Sequence, residues 1–188
     1  MVVRPPEDLE ETKLVQRAQR GDAHAYEQLV ERHQALALRT AHLITGSAAE
    51  AEEAAQDAFV KAYRALGGFR LGEPLRPWLL RIVANESRNR RRAAGRRRAL
   101  GLRAAAAEPR LEPEGPEAVV LGAERRDQLL EALGALRDDD RLVLSCRFLL
   151  DLSEEETAQV LSLRRGTVKS RTSRALTRMR AKLEGADA

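Results

Sequence analysis

Apolar residues along this chain return every three or four positions, the period of a helix face, and no stretch alternates as a half-buried strand does. The first half divides into four predicted helices. A short one over residues 11–20 ends at Gly21. Asp22 then stands at the N-cap of a long helix over residues 23–43, on which Tyr26, Leu29, Val30, Leu36 and Ala37 share a face. Ser47 and Glu50 have the spacing of a capping box, and the helix they open stops at Gly67 and Gly68. On it Ala51, Ala55, Ala58, Phe59, Ala62 and Tyr63 face inward, while Glu52, Glu53, Gln56, Asp57, Lys61 and Arg64 point largely the other way. A loop over residues 69–76 leads to Pro77, a favourable first helical residue. Trp78, Leu79, Ile82 and Val83 supply the buried stripe of the helix that follows, which runs into the arginines beyond Ser87.

The pattern lapses over residues 99–118. An alanine run, Ala104 to Ala107, is followed by Pro109, Pro113 and Pro116 among glutamates, which rules out a continuous helix and predicts a linker. Periodicity returns in helices over residues 119–133 and 138–149. Ser153 and Glu156 make a second capping box, opening a short helix through Leu161, and a last helix covers residues 165–183. The expected fold is therefore all-α: an N-terminal helical bundle over residues 12–98 and a C-terminal helix-turn-helix over residues 119–183, joined by a flexible linker.

Composition agrees and narrows the chemistry. Of 188 residues 43% are hydrophobic but only 3% aromatic, so the cores are built from Leu, Ala, Val and Ile. A net charge of only +4 conceals local basic blocks, for the pI is about 9.7. Arg88, Arg90, Arg91, Arg92, Arg96, Arg97 and Arg98 follow one another without an acidic residue, which reads as a phosphate-binding edge; a solubilising helix end is the plainer alternative. Cys146 stands alone among Leu144, Phe148 and Leu149, so no disulfide framework is expected and the thiol reads as buried. His24, His33 and His42 lack any metal-ligand spacing, and no glycine-rich phosphate loop occurs, so no metal, cofactor or catalytic residue is expected and the chain reads as no enzyme. The N-terminus has no apolar core of a signal peptide and no run approaches membrane length; the expectation is a cytoplasmic protein without membrane insertion.

The most specific local signal lies at the C-terminal end. A short helix, a tight turn and an arginine-rich second helix form the arrangement of a helix-turn-helix. Val168, Ala175, Leu176, Met179 and Leu183 make the packing stripe of the second helix. Arg164, Arg165, Lys169, Arg171, Arg174, Arg178, Arg180 and Lys182 are uninterrupted by acids. A merely solvated helix would carry glutamate partners four residues from its cations, and their absence favours DNA. Residues near the N-terminus of such a helix enter the major groove, and flanking cations meet phosphates.

These residues closely resemble a family. The stretch L-S-E-E-E-T-A-Q-V-L-S-L-R-R-G-T-V-K-S-R is similar to the C-terminal module of RNA polymerase sigma factors of the extracytoplasmic-function (ECF) group. Three blocks in the front half agree independently: A-Q-R-G-D-A-H-A-Y-E-Q-L-V, A-A-Q-D-A-F-V-K-A-Y-R-A-L and F-R-L-G-E-P-L-R-P-W-L-L-R-I-V-A-N. The resemblance implies reversible binding to core RNA polymerase, through its β′ clamp and β flap, recognition of −10 and −35 promoter elements, melting of the −10 element, and regulation by an anti-sigma factor. Glu53, Gln56, Asp57, Lys61 and Arg64 match the face that contacts the β′ clamp. Phe69, Arg70, Glu73, Leu75, Arg76 and Trp78 match the segment that captures a flipped −10 base, and Asn85, Arg88 and Asn89 match positions facing the same element. Arg164, Arg165, Thr167, Lys169, Ser170, Arg171, Ser173, Arg174 and Arg178 match the −35 reader.

The chain departs from the family at Pro77, where Thr is common, at Asn89, where Asp is common, and at Arg164, where Pro or Ser is common. The first two bear on which −10 sequence is read; the third adds a phosphate-seeking charge. A linker of about twenty residues at ~3.3–3.6 Å each reaches roughly 65–70 Å, close to two DNA turns of about 34–36 Å. A stand-alone helix-turn-helix regulator with a sensing or dimerising front half is the rival reading, and a protein that sequesters a partner is a third.

Overall fold

The computed structural model describes residues 6–99, 129, 132–133 and 135–186, and no strand occurs among them. The predicted linker beyond Ala99 and most of the helix predicted over residues 119–133 lie outside the described residues. The chain divides into two compact units.

The front unit contains α1 (Pro6–Gln19), α2 (Ala23–Thr45), α3 (Ala48–Ala65), a 3₁₀ turn (Leu66–Gly68) and α4 (Leu75–Ala99). Helix α1 begins at Pro6, earlier than the apolar pattern suggests. The Asp22 side chain caps α2 by accepting from the Ala25 amide at 3.0 Å. Gly46 closes α2 with φ of 76°, a conformation that side chains resist, and its amide donates to His42 O at 2.8 Å. Ser47 Oγ accepts from the Glu50 amide at 3.5 Å, while the Ser47 amide donates to Thr45 Oγ1 at 3.3 Å. Helix α4 starts at Leu75, so Pro77 sits third rather than first. The position is tolerated because the first four amides of a helix lack intrahelical partners anyway.

Helices α2, α3 and α4 pack mutually, and α1 packs on α2 and the 3₁₀ turn. Between α2, α3 and α4 the buried residues are small: Ala37, Ala41, Ala51, Ala54, Ala55 and Ala58 surround Val83. Alanine permits close helix approach without side-chain entropy loss, which is how the bundle packs with few aromatics. A second cluster joins Leu14, Val15 and Ala18 of α1 to Ala25, Leu29, Leu66, Phe69 and Leu75. Tyr63, expected on the inward face, is exposed and instead meets the Tyr26 ring edge-on at 4.8 Å.

The back unit contains α5 (Asp138–Leu144), a π turn (Ser145–Leu149), α6 (Glu154–Leu161) and α7 (Arg165–Ala186). The single helix expected over residues 138–149 thus changes winding at Ser145. Cys146 is buried as expected, whereas Phe148 and Leu149 are turned out to solvent. Both halves of the Ser153–Glu156 capping box are present, at 3.1 and 2.7 Å. Helices α5 and α6 each pack on α7. Val168 and Ala175 are fully buried, and Met179 packs beside Leu136 and Leu144. Leu176, expected in that stripe, is exposed.

Candidate nucleic-acid interface

Stability alone would place acids in the first turn of every helix, because the N-terminal end of the macrodipole is positive. Two helices of the back unit obey: Asp138, Asp139 and Asp140 open α5, and Glu154, Glu155 and Glu156 open α6. Helix α7 has no acid in its first turn and begins with Arg165. Helices α2 and α4 of the front unit also lack first-turn acids, but α7 alone of the described back-unit helices does so, which leaves its N-terminal end open to an anion.

The turn into α7 is tight. Ser162 takes the left-handed region at φ 56°, Leu163 N donates to Ala158 O at 2.9 Å, and Val168 N donates to Arg164 O at 3.1 Å. This short α6, three-residue turn and long α7 are the helix-turn-helix expected from the sequence. Arg164, Arg165, Lys169, Ser170, Ser173 and Arg174 are exposed, and Thr167 is half-buried. Ser170 Oγ donates to Thr167 O at 3.1 Å, and Arg174 Nε donates to Ser170 O at 3.2 Å, which leans the Arg174 side chain back towards the start of the helix.

Two arginines of the same helix are held from within the unit. Arg171 Nη1 meets Asp139 Oδ2 at 2.9 Å, and Arg178 pairs with the buried carboxylate of Asp140. Residues 171 and 178 are two turns apart and so share one side of α7, the side on which α5 packs. Both were expected among the DNA contacts; here each ties α7 to α5 through an aspartate, while Arg178 stays half exposed. Arg165 also reaches Glu154 at 3.4 Å, but with both groups near solvent this pair is weak.

In the front unit the five residues expected to meet the polymerase, Glu53, Gln56, Asp57, Lys61 and Arg64, are all exposed on α3. Three of them are joined to α4. Lys61 Nζ lies 2.6 Å from Glu86 Oε2, and Arg90 pairs with both Glu53 and Asp57. Partial burial works against the charged Arg90 guanidinium, but the Asp57 and Glu53 carboxylates outweigh it and raise its pKa. Val60, which the sequence reading did not single out, and Tyr63, which it turned inward, are exposed on the same helix.

The loop before α4 is pinned at both ends. Phe69 is 8% exposed and packs on Trp78 with ring centroids 5.0 Å apart, and Leu75 is buried in the same cluster. Gln19 Nε2 donates to Leu66 O at 2.9 Å and to Phe69 O at 2.8 Å, tying the loop to α1. Phe69 and Leu75, expected within the segment that captures a base, are buried here, because apolar side chains flanking a short loop gain by burial. Arg70, Leu71 and Glu73 form the exposed tip, with Gly72 at φ 93°; Arg76 and Trp78 are half-buried at its base. Leu71 was not foreseen, although an apolar residue between Arg70 and Gly72 in a polar loop was its trace. Asn85 and Asn89, one turn apart on α4, are exposed, and Arg88 Nη1 donates to Asn85 Oδ1 at 3.1 Å.

Among the described residues no group of His, Cys, Asp and Glu has the geometry of a metal site, and no helix is long and apolar enough to cross a membrane. His33, expected to be no ligand, meets Glu11 Oε1 at 2.8 Å and joins α1 to α2.

Comparison with known proteins gives the family. The family described as Sigma-70 region 2 matches residues 29–97, and Sigma-70, region 4 matches residues 126–179. The chain is 36% identical over 173 residues to the RNA polymerase sigma-H factor of Pseudomonas aeruginosa, covering 88% of this chain and 90% of that protein. It is 34% identical over 178 residues to the ECF RNA polymerase sigma-E factor of Escherichia coli K12, covering 90% and 92%. The structure of the sigma factor RpoE from Bartonella quintana, solved with the anti-sigma factor NepR, is similar at a TM-score of 0.68 and 25% identity, covering 85% of this chain and 96% of that one. With two region matches in the order the blocks predict and relatives similar over nearly their whole length, this chain belongs to the ECF group of RNA polymerase sigma factors.

Proposed function

We propose the following division of labour for this sigma factor, which binds core RNA polymerase and directs it to promoters. Residues 12–98 form the module that docks on the polymerase and opens the −10 element; residues 119–183 form the module that reads the −35 element; residues 99–118 tether them. The exposed face of α3 meets the β′ clamp. The loop tip at Arg70, Leu71 and Glu73, with Arg76, Trp78, Asn85, Arg88 and Asn89, engages the −10 strand. Helix α7 enters the major groove with Lys169, Ser170, Ser173 and Arg174 towards base edges and Arg164 and Arg165 towards phosphates. The module also offers its surface to the β flap.

The observation that carries the reading is the N-terminal end of α7, cationic where its neighbours α5 and α6 are acidic. The work is binding and strand separation rather than catalysis, so the protein is no enzyme and needs no cofactor; synthesis belongs to the polymerase. Its place is the cytoplasm, with the polymerase. An anti-sigma factor is a fitting partner, as in the Bartonella quintana complex.

Run-off transcription with core polymerase and genomic fragments tests the assignment. Specific transcripts that appear only when the protein is added are expected. A protein that shifts specific duplexes by itself and yields no transcript would instead be a stand-alone regulator.

A further inference from the structure

Arg90 belongs by sequence to a block of arginines that reads as a phosphate-binding edge, yet its guanidinium is turned onto α3. One terminal nitrogen meets Glu53, and the other meets Asp57 Oδ2 at 2.5 Å. Glu53 and Asp57 are one helical turn apart, so a single fork from α4 spans both; a lysine ammonium has no such planar fork. The next turn repeats the contact with reversed sign, Lys61 of α3 lying 2.6 Å from Glu86 of α4. Arg90 and Glu86 are themselves one turn apart, so the two helices share a ladder of opposite charges. Each carboxylate gives Arg90 one oxygen, and the side chains stay 62% and 52% exposed for Glu53 and Asp57.

We propose that Arg90 is a positioning residue for core-polymerase binding: from α4 it holds the Glu53 and Asp57 carboxylates in the orientation in which they meet a cationic polymerase surface, and it does not contact promoter DNA. The proposal rests on the reading of α3 as the polymerase-facing helix. Two effects of Arg90 oppose each other. Its charge reduces the attraction of the carboxylates for a cation, but both carboxylates face water, where that attraction is screened. Its hydrogen bonds remove rotamer freedom that binding would otherwise have to remove, a factor of about 2- to 12-fold for each side chain. Pre-ordering is the larger effect.

The affinity of the full chain for core polymerase tests this, measured for Arg90→Ala, Arg90→Lys, Asp57→Ala and the Arg90→Ala/Asp57→Ala double variant. Arg90→Ala is expected to weaken binding about tenfold, Arg90→Lys to recover only part of the loss, and the effect of Arg90→Ala to shrink sharply once Asp57 is gone. With polymerase saturated, the salt dependence of promoter binding by Arg90→Ala holoenzyme stays that of wild type. Thermal unfolding of Arg90→Ala separates positioning from stability: an unchanged melting temperature beside weakened polymerase binding is expected, and a loss of binding only in proportion to lost folding overturns the proposal. Wild-type affinity of Arg90→Ala beside a weakened Asp57→Ala overturns the proposal and leaves the α3 reading intact. Wild-type affinity of Asp57→Ala and Glu53→Ala overturns that reading itself. A salt slope shallower by about one in Arg90→Ala holoenzyme identifies a phosphate contact and also overturns the proposal.

Discussion

Replacing Asp140 by Asn removes one charge and keeps the shape of the side chain, so it isolates the ion pair that holds α7 to α5. The Asp140 side chain is 9% exposed and that of its partner Arg178 is 46% exposed. A hydrogen bond to a charged group contributes about 1.5–3 kcal/mol, and a fully exposed pair about 0.2–1 kcal/mol. Arg178 regains water when released, so the pair falls between these limits. Asp140 also lies in the first turn of α5, where a negative charge adds about 0.3–1 kcal/mol. The expected loss is about 1–2 kcal/mol, or roughly a 5- to 30-fold fall in the folded-to-unfolded ratio of the back unit. Hydrogen exchange of the full chain measures this locally: protection of the amides around Val168 and Ala175 should fall by that factor. Asp139→Asn is the control, because Asp139 is exposed at its contact with Arg171 and should cost under about 1 kcal/mol. Equal protection in wild type and Asp140→Asn, or equal losses in the two variants, would refute the view that burial makes Asp140 the anchor. If the anchor acts through orientation, −35 affinity should also fall without any change in preferred bases.

Three further outcomes follow from other parts of the molecule. Arg174→Ala should cost about 1–3 kcal/mol against the preferred −35 sequence and relax preference at one position, measured by selection from randomised duplexes; a uniform loss across sequences would make Arg174 a phosphate contact. Phe69→Ala should destabilise the front unit by about 3–5 kcal/mol as a core truncation, whereas Leu71→Ala and Glu73→Ala should leave stability unchanged and slow promoter opening, read by permanganate reactivity of the −10 strand. The Asp22 pKa is lowered, first by the Ala25 amide and then by Arg17, so its contribution is complete above the 3.8 of an unperturbed aspartate and is lost as pH falls through the lower folded value. Wild type should therefore lose helicity in acid relative to Asp22→Asn, and parallel curves for the two would contradict the assignment.

Most of the fold was legible because it is local. Asp22, Ser47, Ser153 and Glu156 mark helix ends by interactions within four residues, and the sequence carries those signals directly. The start of α4 was misplaced because Pro77 suits any position in a first turn, and Leu75 takes the helix with it into the core. The sites were legible as faces but not as individual side chains. Arg171, Arg174 and Arg178 are alike in sequence, yet two meet aspartates on a helix more than thirty residues away. Arg90 likewise looks like its neighbours until Glu53 and Asp57 are brought beside it. Periodicity locates a residue on its own helix; which cation is consumed internally depends on the partner helix, and that is tertiary information.

The number of outward charges on α7 bears on why the two modules need a third body. With Arg171 and Arg178 held internally, the exposed cations of α7 and its turn include Arg164, Arg165, Lys169, Arg174, Arg180 and Lys182, and some of these serve base edges. Three to five phosphate contacts imply a log–log salt slope of about −3 to −5, an attraction that falls steeply at cellular salt. The back unit alone should therefore hold a −35 duplex weakly, and specificity must come from joining it to a second anchored module. Tethering makes the second contact intramolecular and raises its effective concentration to the millimolar range for a short flexible chain. Polymerase binding by the front unit would supply that anchor. The full chain without polymerase should show the shallow slope and weak affinity of one module on a promoter duplex, and a markedly steeper slope once core polymerase is added. A chain that already binds the intact promoter tightly, with the steep slope and no polymerase, would mean that the two DNA-binding surfaces act together unaided.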